Sequence, residues 1–256
     1  MAPEVHSLLP QSGTSPYGAL MITGIVISLM YWIRLTRRDE RLTLVYLGGL
    51  AGAFLGAKLV YLLSEGWLYF SETDALVHLL IGKSILGAFL GGYASVEAIK
   101  YVVGYTRPTG DWFALIAPIG IILGRIGCLQ HGCCLGEICE PAWYTLTDSQ
   151  GQARWPVVPL ELGFNIIALT VAFALRSKRF FAGQLFHLYL IAYGLFRFTH
   201  EFWRDTPKIL GTFSGYQVAS LAVFILGAIG FRKRALKTRP RKRKTHSGNR
   251  PSTEYP

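Results

Sequence analysis

Four places put full charges inside apolar runs: Lys58, Arg125, Glu161, and the set Arg197, Glu201 and Arg204. An arginine at the centre of a membrane helix costs about 2.5–3.5 kcal/mol on insertion scales, so it normally faces a cavity or a partner. Arg197, Glu201 and Arg204 are spaced four and three apart, which stacks them on one helix face. Arg125 stands in Gly124-Arg125-Ile126-Gly127-Cys128, where the glycines let a substrate or another backbone come close. Arg197 with Glu201, and Arg125 with Glu161, could be salt bridges that only lock helices together. For the whole set that reading is weaker, because cations outnumber carboxylates and an anion site is left over. A guanidinium binds phosphate through a two-pronged fork, and inside a bilayer the obvious phosphate is a phospholipid head group.

A second group follows the same helix. Cys128, His131, Cys133, Cys134 and Cys139 fall within twelve residues. Three readings stay open. In an oxidising compartment, Cys139 could bridge to Cys133 or Cys134. His131 with three cysteines offers zinc-type ligands, although the spacing is no standard zinc pattern and no metal ligand is assigned. His131 could instead be a general base, or one cysteine a reactive thiol. His187 and His200 read first as satisfied interior histidines. No phosphate loop or other soluble-enzyme fingerprint is present, and no cofactor is expected.

These residues need helices in lipid to hold them. Of 256 residues 51% are hydrophobic and 16% charged, with a mean hydropathy of +0.34; soluble domains carry about 25% charge. The expected fold is an all-α integral membrane protein of about seven transmembrane helices, with periplasmic loops over a central lipid-binding cavity. Candidate spans are 16–34, 42–63, 84–103, 112–130, 159–176, 183–203 and 213–231. The first is read as an anchor rather than a cleaved signal, since Arg34, Arg37, Arg38 and Arg41 follow it. Nineteen basic residues fall on one side, against Lys83, Arg154, Arg204 and Lys208 on the other, which predicts N-out and C-in. Residues 1–15 are then a periplasmic segment, 16–231 the membrane domain and 232–256 a basic, disordered cytoplasmic tail. That tail is expected to meet anionic lipid head groups rather than nucleic acid.

Glycines four apart mark close helix packing: Gly48, Gly52 and Gly56 in the second span, Gly87 and Gly91 in the third, Gly120 and Gly124 in the fourth. They predict that spans two to four form the bundle centre.

Several stretches together resemble bacterial prolipoprotein diacylglyceryl transferase. They are Tyr17-Gly18, Gly52-Ala53-Phe54-Leu55-Gly56-Ala57-Lys58, Gly124-Arg125-Ile126-Gly127, and the run from Tyr193-Gly194-Leu195-Phe196-Arg197 to Glu201 and Arg204. The resemblance covers about 16–231. It implies a multi-pass enzyme of the bacterial inner membrane. That family moves the diacylglyceryl group of phosphatidylglycerol onto the lipobox cysteine thiol near the prolipoprotein signal peptide and releases glycerol phosphate. By the same resemblance Arg125 and Arg197 hold the lipid phosphate, Glu201 and Glu161 organise them, and Gln217 fits the pattern. Lys58, Arg204 and Tyr17 are further substrate-binding candidates. Two departures stand out. Leu86 lies where the family has a functional histidine, and Cys128, His131 and Cys133 replace the family's asparagines and glutamate. His131 is therefore the candidate substitute base. The alternatives are the same lipid donor with another acceptor, or a non-catalytic lipid-binding or redox protein that keeps the anion pocket.

Overall fold

A computed structural model of the chain describes residues 17–37, 39–70, 76, 80 and 82–238. Among them are seven long helices: α1 Tyr17–Thr36, α2 Arg41–Ser64, α3 Ile85–Val102, α4 Gly110–His131, α5 Val157–Ser177, α6 Leu185–His200 and α7 Gly215–Thr238. Each overlaps one candidate span, because each grows from a run of apolar residues long enough to satisfy its own backbone hydrogen bonds. Four are long and apolar enough to cross a membrane: Arg41–Ser64, Gly110–His131, Val157–Ser177 and Gly215–Leu236. Their outward faces carry exposed large side chains such as Leu47, Leu55, Leu63, Ile167, Phe173 and Leu221. A continuous apolar exterior of this kind suits lipid, and the chain is an integral membrane protein.

Two hairpins too short to show a strand pattern cap one end of the bundle. β1 Leu146–Thr147 pairs with β2 Ala153–Arg154, and β3 Lys208–Leu210 pairs with β4 Phe213–Ser214. Helix α7 runs to Thr238, past the expected limit at 231, because Arg232, Lys233 and Arg234 extend the helix without being apolar. Residues 1–16 and 239–256, most of the two expected terminal segments, lie outside the described residues.

The glycine expectation divides. In the α2–α3 seam Gly52 and Gly56 face Gly91 and Gly87, and a Cβ on any of the four would strike the opposite backbone. Ser95 closes the seam by donating to the Gly48 carbonyl at 2.6 Å. Gly120 and Gly124 do not pack: nothing lies within 4 Å of where their Cβ atoms would sit. Small residues four apart permit close approach but do not supply a partner. The centre is built by α3 and α4, as expected, together with α6 and α7. Phe89 of α3, Ile121 of α4, Leu190 and Tyr193 of α6 and Val223 of α7 form the main buried cluster, and α4 and α7 are more buried than α2.

Candidate functional site

The site forms where α4 ends, α5 begins and α6 ends. Arg125 lies in the penultimate turn of α4, buried, and its Nη2 meets Glu161 Oε2 at 2.7 Å. Glu161 sits in the second turn of α5 with no exposed surface. Its other oxygen accepts from the Tyr193 hydroxyl of α6 at 2.7 Å. One turn later Arg197 Nη2 meets Glu201 Oε2 at 3.0 Å. Arg204 lies between the two carboxylates, 3.6 Å from Glu201 and 4.0 Å from Glu161. Three guanidinium groups thus share two fully buried carboxylates.

Neighbouring groups fix this arrangement. A guanidinium can only donate, so Arg197 Nη1 donates to His200 Nδ1 at 3.0 Å, and His200 donates from Nε2 to the Val157 carbonyl at 2.8 Å. His200 is therefore held neutral between α6 and α5. Glu201 also accepts from Thr206 at 2.8 Å and Ser214 at 3.3 Å. Gln217 accepts from Ser214 N at 2.9 Å and donates to the Phe198 carbonyl, tying the start of α7 to the end of α6. Arg204 is set in register by an antiparallel bridge to Gly136 and by Glu137 N donating to the Trp203 carbonyl at 3.0 Å. Gly136 is wedged so tightly between Trp155 and Trp203 that a Cβ would strike both backbones.

The guanidinium groups are not exhausted by these partners. Nε of Arg125 and Nε of Arg197 are buried with no hydrogen-bond partner among the described residues. A buried donor left unmet costs about 1–3 kcal/mol, and an anion with several acceptor oxygens answers that cost. Beside Arg125, Gly124 opens onto free space. An apolar cleft of about 230 Å³ between α1, α2, α3 and α4 is lined by Tyr46, Leu50, Ala53, Phe113 and Phe89. The Phe89 ring stands edge-on to Tyr193 at 5.2 Å, so the cleft ends one ring from Glu161. A larger cavity of about 800 Å³, around Glu97, Lys100 and Arg234, contains none of the arginine group.

Not every sequence candidate joins the cluster. Lys58 donates at 2.6 Å to the Leu80 carbonyl, and neither buried carboxylate is its partner. His131 is the exposed last residue of α4, and no hydrogen bond or ion pair among the described residues ties it to the arginines. The Tyr17 side chain lies outside the described residues. Leu86, at the departure from the family pattern, is buried in the main apolar cluster. All four cysteines are free thiols, so neither Cys139 bridge is formed. Beyond the helix, the Cys134 thiol is held well below the ordinary range by hydrogen bonding with Cys128 and Cys133, helped by Arg125 and Arg204.

Sequence reasoning gave no role to Tyr193, quoted only within a motif, and did not notice Glu65. Tyr193 is four residues before Arg197, one turn along the same face, and that spacing could have found it. Glu65 follows the last residue of α2; burial pushes its carboxyl up, against the Tyr216 hydroxyl and the nearby Arg204 charge. Nothing in the sequence marks Glu65, since only the end of α2 places it there.

A prolipoprotein diacylglyceryl transferase family model matches residues 4–232. Three relatives bear the name phosphatidylglycerol–prolipoprotein diacylglyceryl transferase. The Mannheimia succiniciproducens protein is 27% identical over 89% of this chain and 90% of its own length. The Pseudoalteromonas translucida protein is 28% identical over 71% of each. The Clostridium tetani protein is 27% identical over 84% of this chain and 91% of its own. With a buried arginine group at the junction of α4, α5 and α6 and a family match over nearly its whole length, the chain belongs to the prolipoprotein diacylglyceryl transferase family.

Proposed function

We propose that this protein transfers the diacylglyceryl group of phosphatidylglycerol to the lipobox cysteine thiol of prolipoproteins at the outer leaflet of a bacterial inner membrane. In this reading α1–α7 are seven spans, N-out and C-in, residues 16–231 are the transferase domain, and the two capped loops cover a central lipid cavity. The observation that carries it is the buried Arg125 and Arg197, whose Nε–H donors have no partner among the described residues.

The reaction forms a C–S bond and breaks the C–O bond to the lipid phosphate, whose oxygen leaves with the electron pair as glycerol phosphate. Arg125 and Arg197 stabilise the charge that grows on that phosphate, already oriented before the reaction begins. Glu161 and Glu201 hold them in place, Arg204 adds a third cation, and Gln217 fixes the floor beneath Glu201. Lys58 and Tyr17 are carried as further lipid contacts. The acyl chains have the apolar cleft beside Phe89 to enter. His131, exposed at the end of α4, is the proposed acceptor of the thiol proton.

A transfer assay in membranes, with labelled phosphatidylglycerol and a lipobox peptide, tests this. Label on the peptide that disappears in Arg125→Ala is the expected result. Release of glycerol phosphate without labelled peptide would point to a different acceptor, a reading favoured by Leu86 and Cys128 at positions where the family differs. Release of neither product would leave a lipid-binding protein.

A further inference from the structure

The cysteine group is the chemistry this reading leaves unused. The Sγ atoms of Cys128, Cys133 and Cys134 all lie within 4.8 Å of one another. Those of Cys128 and Cys134 are 3.9 Å apart. A zinc–sulfur bond of about 2.3 Å gives sulfur–sulfur edges of roughly 3.8–4.0 Å around a trigonal or tetrahedral ion. A disulfide needs about 2.05 Å. The observed edge fits a shared ion better than a bond.

The backbone explains how two adjacent cysteines both reach Cys128. Gly132 ends α4 in the left-handed region at φ 67°, and Cys133 N returns to the Cys128 carbonyl at 3.1 Å. Consecutive side chains of an extended chain point to opposite sides. Cys134 breaks that alternation by adopting φ 62°, a conformation rare for a residue with a Cβ. Arg125 Nη1 donates to Cys128 Sγ at 3.9 Å, the kind of outer hydrogen bond that orients metal-bound ligands. Cys139 is not part of the group.

We propose that Cys128, Cys133 and Cys134 form a three-thiolate site for zinc, whose fourth position takes the thiol of the acceptor. That last step rests on the transferase reading. A thiol that binds zinc gives up its proton, which passes to His131 at the end of α4, and the acceptor sulfur is delivered as a thiolate next to Arg125. The sulfur attacks the glyceryl carbon, the C–O bond breaks, and the phosphate oxygen departs with its electron pair against the arginines. The thioether formed is neutral and a weaker ligand than thiolate, which releases the product.

The experiment is metal analysis of the full chain, purified in detergent under reducing, chelator-free conditions. About one zinc per chain is expected, lost in Cys128→Ser and Cys134→Ser and kept in Cys139→Ser. Because the serine variants could fail to fold, the unaltered protein is also loaded with cobalt(II), where thiolate-to-metal charge-transfer absorption is expected. No zinc and no such absorption, or a Cys128–Cys134 disulfide in the intact protein, overturns the site. Removing the zinc should cause loss of transfer, with recovery on re-addition. Transfer unchanged by removal overturns the role given to the fourth position. Zinc bound with no transfer under any condition refutes the transferase reading and leaves the metal site standing.

Discussion

Two junctions hold this bundle together by opposite means. The α2–α3 seam is backbone against backbone, through Gly52, Gly56, Gly87 and Gly91. The α4–α5–α6 junction is held by Arg125, Glu161, Arg197, Glu201 and Arg204, almost all out of reach of solvent. Glycine contacts are enough to join helices in lipid. A buried ion pair often contributes no more than apolar residues of the same volume would. A chain able to use the first device keeps the second only where charge is needed for something other than cohesion.

The largest expected effect breaks that contrast on its charged side. Arg125→Ala and Arg197→Ala should each lower transfer by about 10²–10³-fold, the usual loss when one donor to a developing anion is removed. Activity per folded molecule retained by both would make the junction merely structural. His131→Ala should lower transfer by about 10²-fold if it serves as a general base, read from initial rates; a negligible loss removes it from the mechanism. Glu161→Gln leaves Arg125 buried beside a neutral partner, and should cost about 3–5 kcal/mol of stability in a detergent unfolding assay. On the other side of the comparison, Gly56→Leu should cost about 1–3 kcal/mol by overpacking, with transfer falling only as folded protein falls. A specific loss of turnover there would mean that the seam, too, serves the chemistry. The smallest effect is His187→Phe, which removes one hydrogen bond to Tyr93, 3.1 Å away, at about 1 kcal/mol and no change in rate per folded molecule.

What could be read from the sequence follows from which signals are local. Seven apolar runs locate seven helices, and the spacing of Arg197, Glu201 and Arg204 announces a shared face. The α2–α3 seam was legible because both partners carry matching glycines, whereas Gly120 and Gly124 show the same spacing and meet nothing. The joining of Arg204 to Glu161 and of His200 to Val157 was not legible, since each contact spans two elements far apart in the chain. The hairpins were invisible because two or three residues hold no period. Lys58 shows that a charge in an apolar run can find a partner, here the Leu80 carbonyl, outside the arginine group.

The bridge between Gly136 and Arg204, with its companion bond from Glu137 to Trp203, carries a consequence for how such proteins can vary. The loop after α4 and the turn after α6 are stitched into one piece, although more than sixty residues separate them in the chain. A relative's α4–α5 loop grafted in alone would displace the arginine it was never matched to. Cysteine-bearing loop and arginine-bearing turn should therefore be inherited, exchanged and redesigned as a single cassette.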